Sequence, residues 1–381
     1  MSEAVRRPLQ PDSATITAVV RRALLTDAAQ LRSWDIVGLT PGAGSATAGI
    51  ARVSGLAEVN GRLTDWSIIL KTLVPGPPAA DPTSWNYRER EALLYDSGLL
   101  EELAGDLRAP RCFGVQQQPD GVTWLWLEDV TEAHVAGWSI ERFGQAAYHL
   151  GRMNGAYLVD RPLPSYPWLS RNTLRSWTSQ FVPWHAQLAE AEEHPLIGPF
   201  CDPSLNAGAR RLARDREEVL TALARLPQTF QHGDAHKRNL FARVRADGEE
   251  ETVAIDWAFA GIRAVGEEVE SLVSGASMFF EIDHADIDRL SQTCFEGYVS
   301  GLRDAGWAGD SALARLGYLG AATLRYSLVP IEVLFMDGDT RDWFSAITGQ
   351  TFEETILRYQ AVRRWGLAQE AEMRALMRRL L

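Results

Sequence analysis

The apolar and polar positions in the first third of the chain predict an antiparallel sheet. Residues 57–74 contain two strand-like segments around an Asn-Gly dipeptide, which is typical of a two-residue hairpin turn. Residues 111–130 repeat this arrangement around Pro-Asp-Gly. Between them, residues 87–103 show apolar positions at helical spacing. We therefore predict that residues 35–128 form a small, mostly antiparallel sheet with one inserted helix.

The pattern becomes helical from about residue 140 onward, where apolar residues recur every three or four positions, as in residues 141–159. One stretch differs, because residues 241–261 read as a single hairpin around Asp-Gly. The predicted fold class is therefore α+β, with two lobes. We place a β-rich N-terminal lobe with an N-terminal helix in residues 1–128. A larger, mainly helical C-terminal lobe follows in residues 129–381.

The length and charge of the chain narrow the classes of function. At 381 residues the chain exceeds the roughly 100–200 residues of a typical domain, which agrees with two lobes. Asp and Glu number 50 against 38 Lys and Arg, so the formal net charge is −12. This charge disfavours a nucleic acid partner, and the sequence has no basic stripe with interleaved aromatic residues. It favours a cationic small molecule, although net acidity also serves solubility alone.

Covalent chemistry and cellular location are constrained by composition. No apolar run approaches the roughly 20 residues that span a bilayer, and the N-terminal residues lack the apolar core of a signal peptide. The three cysteines are far apart and include no CxxC pair, which disfavours disulfide frameworks and cysteine zinc sites. We predict a cytoplasmic protein with no membrane partner.

Polar groups stand at both ends of the hairpin predicted around residues 240–256. Asp234 and Asn239 precede its first strand, and Asp256 closes its second. Since a hairpin brings its outer ends together, we expect Asn239 and Asp256 to be near neighbours, with Asp234 in the loop just outside. A carboxylate and an amide oxygen suit Mg²⁺, which prefers oxygen ligands and completes its shell with water and phosphate. A second carboxylate nearby is suited to orient a hydroxyl nucleophile.

Residues 232–239, HGDAHKRN, resemble the catalytic loop of the aminoglycoside phosphotransferase and choline-kinase-like family, whose pattern is His-Gly-Asp, four residues and Asn. Residues 255–261, IDWAFAG, resemble the metal-binding segment of that family. The family is distantly related to the protein kinases, so the resemblance implies a bilobal protein-kinase-like fold. It also implies that Asp234 is the catalytic aspartate and that Asn239 and Asp256 bind Mg²⁺.

The resemblance extends to the N-terminal half and covers roughly residues 35–330. In this fold a lysine on a sheet strand pairs with the α- and β-phosphates of the nucleotide, and a glutamate from the next helix holds that lysine. Lys71 ends an apolar strand and is one of only two lysines in the chain. The resemblance places Glu91 as its partner, with Glu89 as the close alternative.

Two backbone segments complete the nucleotide site that the resemblance implies. In the phosphate-covering loop, small residues let backbone N–H groups approach phosphate, and the candidates are Gly42, Gly44 and Ser45. The third glycine of the kinase pattern is absent, with Thr47 in its place. The hinge, whose backbone meets the adenine edge, is assigned to Trp126, Leu127, Glu128 and Asp129.

The resemblance therefore implies a small-molecule kinase. It would transfer the γ-phosphoryl group of ATP or GTP to a hydroxyl group of a small, cationic acceptor. Lys71 and Mg²⁺ would hold the triphosphate while Asp234 orients the acceptor hydroxyl. Aminoglycosides are the leading acceptors, which links the chain to antibiotic resistance. Choline-like amino alcohols and sugars stay open as acceptors.

Two other functions stay open. His232, Asp234 and His236 have the spacing of a zinc site on one face of a strand. A zinc metallohydrolase would explain these three residues but leave the predicted magnesium ligands and Lys71 without roles, whereas the resemblance makes His232 a structural support of the loop. The other alternative is a pseudokinase that binds nucleotide without transfer, and the intact set of candidate residues argues against it.

Several further residues admit two interpretations. Glu268 matches a position that is often acidic in the family, and Lys237 is either a solvated loop cation or a phosphate ligand. Three tryptophans are either packing residues or a platform for the acceptor. A run of four acidic residues is either a solvated helix N-terminus or part of the site that holds a cationic acceptor. They are Trp168, Trp177, Trp184, Glu281, Asp283, Asp286 and Asp288.

Overall fold

A computed structural model describes residues 11–39, 47–77, 80–171 and 173–381. The chain divides into two compact units. The first comprises the chain up to Ala80, Asn86–Leu103 and Arg108–Thr131. The second comprises Asp81–Trp85, Ala104–Leu107 and Glu132–Leu381. The first is built mainly of strands and the second mainly of helices, so the α+β prediction is confirmed.

The described strands and helices are numbered in chain order. The strands are β1 (Gln30–Leu39), β2 (Thr47–Val59), β3 (Arg62–Leu73), β4 (Leu107–Arg108), β5 (Cys112–Gln117), β6 (Thr123–Glu128), β7 (Gln228–Gln231), β8 (Leu240–Val244), β9 (Glu250–Ala254) and β10 (Gly261–Ala264). The helices are α1 (Ser13–Ala23), α2 (Arg90–Asp96), α3 (Ile140–Val159), α4 (Thr173–Phe181), α5 (Leu188–Glu193), α6 (Pro203–Ala224), α7 (Glu268–Met278), α8 (Ile287–Asp304), α9 (Ser311–Leu324), α10 (Ile331–Leu334), α11 (Gly338–Thr348), α12 (Phe352–Ala368) and α13 (Glu370–Leu380).

Five of the described strands form one antiparallel sheet in the first unit, in the order β1-β2-β3-β6-β5. Both predicted hairpins are confirmed, and Asn60 and Gly61 turn β2 into β3 with φ of 53° and 80°. A two-residue hairpin turn requires these positive values, which Asn and Gly adopt most readily. The sheet and α1 bury an apolar core of Ile16, Val19, Val20, Val53, Ala57, Trp66, Ile68, Leu70, Phe113 and Trp126.

The helix predicted in residues 87–103 is interrupted. It consists of α2 and a separate 3-10 turn at Leu99–Glu102. Gly98 lies between them with φ of 74°, a left-handed conformation that ends a helix and that glycine adopts without steric cost. The short helix α2 places Glu91 in its first turn.

Helices form most of the second unit, and α3 packs closely against α8. A Cβ atom at Gly151 would lie 2.1 Å from the carbonyl oxygen of Tyr298, so glycine at this position lets the two backbones approach. A separate apolar cluster is formed by Leu188, Ala191, Ile197, Met278, Ile331, Val333, Phe335, Phe344, Ile356, Tyr359 and Val362. Within the described parts of the chain, every helix is too short or too polar to cross a membrane.

Two small sheets carry the loop that the sequence marks for chemistry. The predicted hairpin consists of β8 and β9. The expectation that this hairpin is the one extended stretch among the helices was wrong, because β7 and β10 form a further antiparallel pair. Both strands have four residues and are almost fully buried, so they lack the polar alternation that marks a half-exposed strand. Strand β7 leads directly into residues 232–239.

Candidate active site

The loop after β7 is anchored by a buried carboxylate. Glu268, at the start of α7, accepts hydrogen bonds from the backbone N–H groups of His232 (2.9 Å) and Gly233 (2.8 Å). Only 1% of the residue is exposed. Two charge-assisted bonds to consecutive backbone amides fix the peptide just before Asp234. The family-like acidic position therefore has a structural role in this loop.

His232 ties the same loop to the end of the β8–β9 hairpin. Its Nε2 donates to the carbonyl oxygen of Ile255 (2.8 Å), and its Nδ1 accepts the backbone N–H of Asp234 (3.2 Å). Burial lowers the pKa of His232, so the neutral tautomer that these two bonds require persists at neutral pH. Both ring nitrogens are therefore engaged in holding the loop against the hairpin.

Gly233 is required by the geometry of the loop. Its φ is +81°, and a Cβ atom would lie 2.2 Å from Arg263 Nη2 and 2.6 Å from the carbonyl oxygen of Phe259. Any other residue would combine backbone strain with a clash against a buried guanidinium. This explains the glycine of the His-Gly-Asp motif in physical terms.

The carboxylate of Asp234 has different surroundings at its two oxygens. Oδ1 accepts a hydrogen bond from Arg325 Nη2 at 2.7 Å. Oδ2 lies 3.3 Å from the Nδ2 atom of Asn239 and 3.5 Å from Nε2 of His236. Burial alone would raise the pKa of Asp234, but the contacts to His236 and to the Arg325 guanidinium outweigh it and hold the pKa well below the usual range. Asp234 is therefore ionised at neutral pH, with 17% of its side chain exposed.

The backbone ladder of the hairpin brings Asn239 beside the residue before Asp256. Leu240 pairs with Ala254, and the N–H of Ile255 donates to the carbonyl oxygen of Asn239 at 2.8 Å, which extends the ladder by one residue. Asp256 follows in a left-handed conformation, with φ of 61° and ψ of 64°. This conformation is uncommon for residues other than glycine and concentrates at functional sites.

The orientation of the Asn239 side chain suits a cation ligand. Its Nδ2 donates to the carbonyl oxygen of Asp234 at 3.0 Å and lies near the Asp234 carboxylate. The amide nitrogen is thus turned toward Asp234, and the amide oxygen is directed away from it. An amide oxygen and the Asp256 carboxylate, both hard oxygen donors, match the small protein contribution that Mg²⁺ takes when water and phosphate complete its shell.

The described residues do not offer a zinc site in this region. They contain no group of three or more His, Cys, Asp or Glu side chains arranged to hold a metal ion. His232 uses one ring nitrogen on Ile255 and the other on Asp234. It therefore has no lone pair to offer zinc, which argues against the metallohydrolase alternative.

In the first unit, Lys71 and Glu91 form a buried ion pair. Lys71 Nζ lies 2.6 Å from Glu91 Oε2, and the two side chains are 7% and 1% exposed. Glu89 lies elsewhere, since its Oε1 accepts the backbone N–H of Gly76 at 2.7 Å. Of the two glutamates that the sequence leaves open, Glu91 thus contacts the lysine and Glu89 fastens the loop after β3.

The two glutamates provide a matched pair of substitutions. We expect Glu91→Gln to lower stability by about 3–5 kcal/mol, because it removes the carboxylate charge that lies 2.6 Å from the buried Lys71 ammonium. It should also weaken nucleotide binding by about tenfold or more, since the lysine is no longer held in place. Glu89→Gln should change neither property appreciably, because a glutamine oxygen still accepts the Gly76 N–H. Chemical denaturation and calorimetric titration with nucleotide measure both effects, and equal behaviour of the two variants would contradict the assignment.

The hinge candidates lie at the end of β6. Trp126 and Leu127 are paired on both edges, to β3 and to β5, and the indole of Trp126 donates to Gln116 at 3.0 Å. Sheet pairing occupies the backbone of these two residues, so an adenine contact through them is disfavoured. Gly42, Gly44 and Ser45, the candidates for the phosphate-covering loop, lie outside the described residues.

The last two hinge candidates hold other side chains. The carboxylate of Glu128 binds Arg108 at 2.7 Å, and its backbone N–H donates to the carbonyl oxygen of Arg111 at 2.9 Å. Asp129 accepts from Arg52 Nε at 2.7 Å and from Ser67 Oγ at 2.5 Å. Asp129 is the only one of the four candidates that lies beyond the end of β6. Its backbone is therefore the remaining candidate for the contact with adenine.

The residues with two interpretations take mainly packing positions. Lys237 Nζ lies 3.9 Å from Glu132 and 5.7 Å from the centroid of the Trp138 ring. Trp177 donates from its indole to the carbonyl oxygen of Arg325 at 3.2 Å. Trp168 packs on Tyr166, and Trp184 packs on Phe181. Asp283 accepts a backbone hydrogen bond at a helix N-terminus, and Asp288 accepts one from the indole of Trp365.

Glu281 differs from the rest of the acidic run. It follows Phe280, a non-glycine residue with φ of 58°. Burial raises the pKa of Glu281 to about 7, although positive charge at Lys237, His236 and Arg238 opposes the shift. A carboxyl group that is partly protonated at neutral pH holds a cationic amine less firmly than a charged one.

Arg325 is the contact of Asp234 that sequence reasoning missed. It lies 91 residues beyond Asp234, just after α9, and belongs to no motif. A single sequence carries no signal that would pair an arginine at this separation with the loop.

Comparison with known proteins places the chain among phosphotransferases. A family model described as APH, phosphotransferase enzyme family, matches residues 98–300, which is more than half of the chain. No curated protein sequence matches the chain. The choline kinase of Cryptosporidium parvum Iowa II has 10% sequence identity and a TM-score of 0.51, and the match covers 95% of this chain and 97% of that one. This likeness confirms the protein-kinase-like fold.

Two further solved structures are similar over most of their length. The amicoumacin kinase hAmiN, in complex with AMP-PNP, Ca²⁺ and Ami, has 13% identity and a TM-score of 0.49, and the match covers 91% of this chain and 94% of that one. Spectinomycin phosphotransferase, in complex with ADP and spectinomycin, has 12% identity and a TM-score of 0.46, with 88% and 93% covered.

Proposed function

The chain belongs to the APH phosphotransferase enzyme family and is a phosphotransferase that acts on hydroxyl groups; from this premise we propose that it transfers the γ-phosphoryl group of ATP or GTP to a hydroxyl of a small, cationic acceptor. The net charge of −12 supports a cationic acceptor, because it attracts such molecules at long range. Aminoglycosides lead the candidates, and a chain that phosphorylates them would confer resistance to them.

The proposal rests on the contact between the loop of residues 232–239 and the base of the β8–β9 hairpin in the second unit. Asp234 is ionised and fixed by hydrogen bonds at the loop, and Asn239 at the foot of the hairpin contacts it directly. Asp256 lies two residues after the end of β9, the strand paired with β8. A fixed carboxylate in contact with one amide ligand, with a second carboxylate just beyond the end of the paired strand, suits phosphoryl transfer to a hydroxyl.

Each residue then has a role in the transfer. Asp234 Oδ2 accepts the hydrogen bond of the acceptor hydroxyl and orients its oxygen toward the γ-phosphorus. The new oxygen–phosphorus bond forms as the bond from that phosphorus to the bridging β–γ oxygen breaks, and the diphosphate leaves. The hydroxyl proton passes to Asp234. Because its pKa is low, Asp234 takes this proton late, and it acts mainly by orienting the nucleophile.

The remaining roles concern charge. We assign Lys71, held by Glu91, to the α- and β-phosphates, which it neutralises with a compact ammonium group. We assign Asn239 and Asp256 to a Mg²⁺ ion, which when bound would neutralise phosphate charge that develops during transfer.

A screen of acceptors tests the proposed function. The purified chain is incubated with MgATP or MgGTP and a panel of aminoglycosides, amino alcohols and sugars, each with a neutral analogue that lacks the amine. We expect one class of cationic acceptor to gain the mass of one phosphate, with nucleotide consumed in equal amount. Nucleotide binding without a product from any acceptor would instead support a pseudokinase.

A further inference from the structure

A buried arginine contacts the carboxylate of Asp234. Arg325 Nη2 lies 2.7 Å from Asp234 Oδ1, and 9% of its side chain is exposed. The same guanidinium uses its other terminal nitrogen on neighbouring groups, since Nη1 donates to the carbonyl oxygen of Gly233 at 3.1 Å and to the hydroxyl of Ser271. The planar fork of an arginine thus spans the loop on one side and α7 on the other.

Other contacts hold the arginine in this position. Nη1 lies 3.4 Å from Oε2 of Glu270, whose side chain is fully buried. The ring centroid of Trp177 lies 5.8 Å from the guanidinium carbon, and its indole N–H donates to the Arg325 carbonyl oxygen at 3.2 Å. Arg325 is therefore fixed through its backbone and through its side chain.

We propose that Arg325 is a positioning residue, which occupies Oδ1 of Asp234 so that Oδ2 alone is presented to the acceptor hydroxyl. The proposal rests on the proposed function, in which Asp234 orients that hydroxyl. An aspartate with two equivalent oxygens can rotate about its side-chain bonds and offer the nucleophile several geometries. With Oδ1 held by Arg325, the remaining oxygen has one direction, toward Asn239 and His236. A rate gain of this kind comes from pre-set geometry rather than from a new chemical step.

Glu270 determines how the proposal is tested. Replacing Arg325 alone would also remove the cation beside the buried Glu270, whose pKa burial raises to about 7, and would change the stability of the fold for a reason unrelated to Asp234. The comparison is therefore between Glu270→Gln and the double variant Glu270→Gln/Arg325→Gln. Both lack the buried Glu270 charge, and they differ in the contacts that the Arg325 side chain makes to Asp234, Gly233, Ser271 and Trp177.

The kinetic test uses the acceptor that the screen identifies. Relative to Glu270→Gln, the double variant should lose about 100-fold in kcat through misplacement of the nucleophile. The KM for nucleotide should stay within about twofold in both, since Arg325 has no assigned contact to nucleotide. Arg325→Lys, which keeps the charge but not the fork, should recover part of kcat. A purely structural role would instead change kcat, nucleotide KM and stability together.

A thermodynamic cycle tests the contact without any turnover. In the Glu270→Gln background, Asp234→Ala, which removes the acceptor oxygen, and Arg325→Gln are made singly and together, and the unfolding equilibrium constants are measured in denaturant. We expect the two changes to be coupled by about tenfold or more, and additive effects would overturn the contact. An active wild type whose kcat survives the loss of Arg325 would overturn the positioning role alone. A wild type that transfers no phosphate would overturn the proposed function and this role together.

Discussion

Asp234→Asn is expected to abolish phosphoryl transfer while nucleotide binding is kept. An asparagine amide cannot accept the hydroxyl proton, and its nitrogen replaces an oxygen that holds the nucleophile, so kcat should fall by about 100- to 10,000-fold. The amide oxygen can still accept from Arg325, which lies 2.7 Å from Oδ1, and the loop also keeps its anchor to Glu268. Transfer rates and calorimetric nucleotide affinity, measured on the same preparation, separate the two effects.

A matched control for this substitution is available in the same unit. Asp283 accepts the backbone N–H of Ala285 at 3.0 Å at a helix N-terminus, and asparagine caps a helix about as well as aspartate. Asp283→Asn should therefore leave both stability and kcat near wild type. Transfer by Asp234→Asn at the wild-type rate would remove Asp234 from the mechanism.

The sequence is sufficient for those parts of the fold that depend on local chemistry. Asn60-Gly61 marks a hairpin because these residues adopt positive φ more readily than others. Strands β7 and β10 could not be found in this way, since both are nearly fully buried and have no polar alternation. Gly98 divides a helix whose periodicity continues across it, so periodicity alone overestimates the length.

The candidate site follows the same distinction. Residues 232–239 and 255–261 are contiguous segments with a recognisable spacing, and the hairpin that joins them is local in sequence. Whether Glu89 or Glu91 pairs with Lys71 depends on where α2 begins. The sequence does not determine the start of a helix to within two residues. Arg325 comes from a helix terminus far along the chain, and its contact to Asp234 is a product of tertiary packing.

Asp256→Asn is expected to remove the dependence of the protein on Mg²⁺. Loss of a charged ligand weakens the site for a hard divalent cation, and the lost neutralisation of phosphate charge, worth several kcal/mol, should lower kcat by about 1,000-fold. Asparagine is the appropriate replacement because Asp256 has φ of 61°, a conformation that asparagine adopts at lower cost than alanine. The substitution therefore keeps the backbone conformation, and unfolding in denaturant checks that the variant retains the stability of wild type.

The measurement does not depend on turnover alone. In wild type, Mg²⁺ should tighten nucleotide binding, and a chelator should reverse this and stop transfer; in Asp256→Asn, calorimetric nucleotide affinity should barely respond to either addition. Asp247→Asn, at the turn of the same hairpin, is the control, because Asp247 accepts the backbone N–H of Glu249 at 3.1 Å far from the loop and an asparagine oxygen accepts it equally well. Should Asp256→Asn retain the Mg²⁺ response of wild type, the ion is held by other residues.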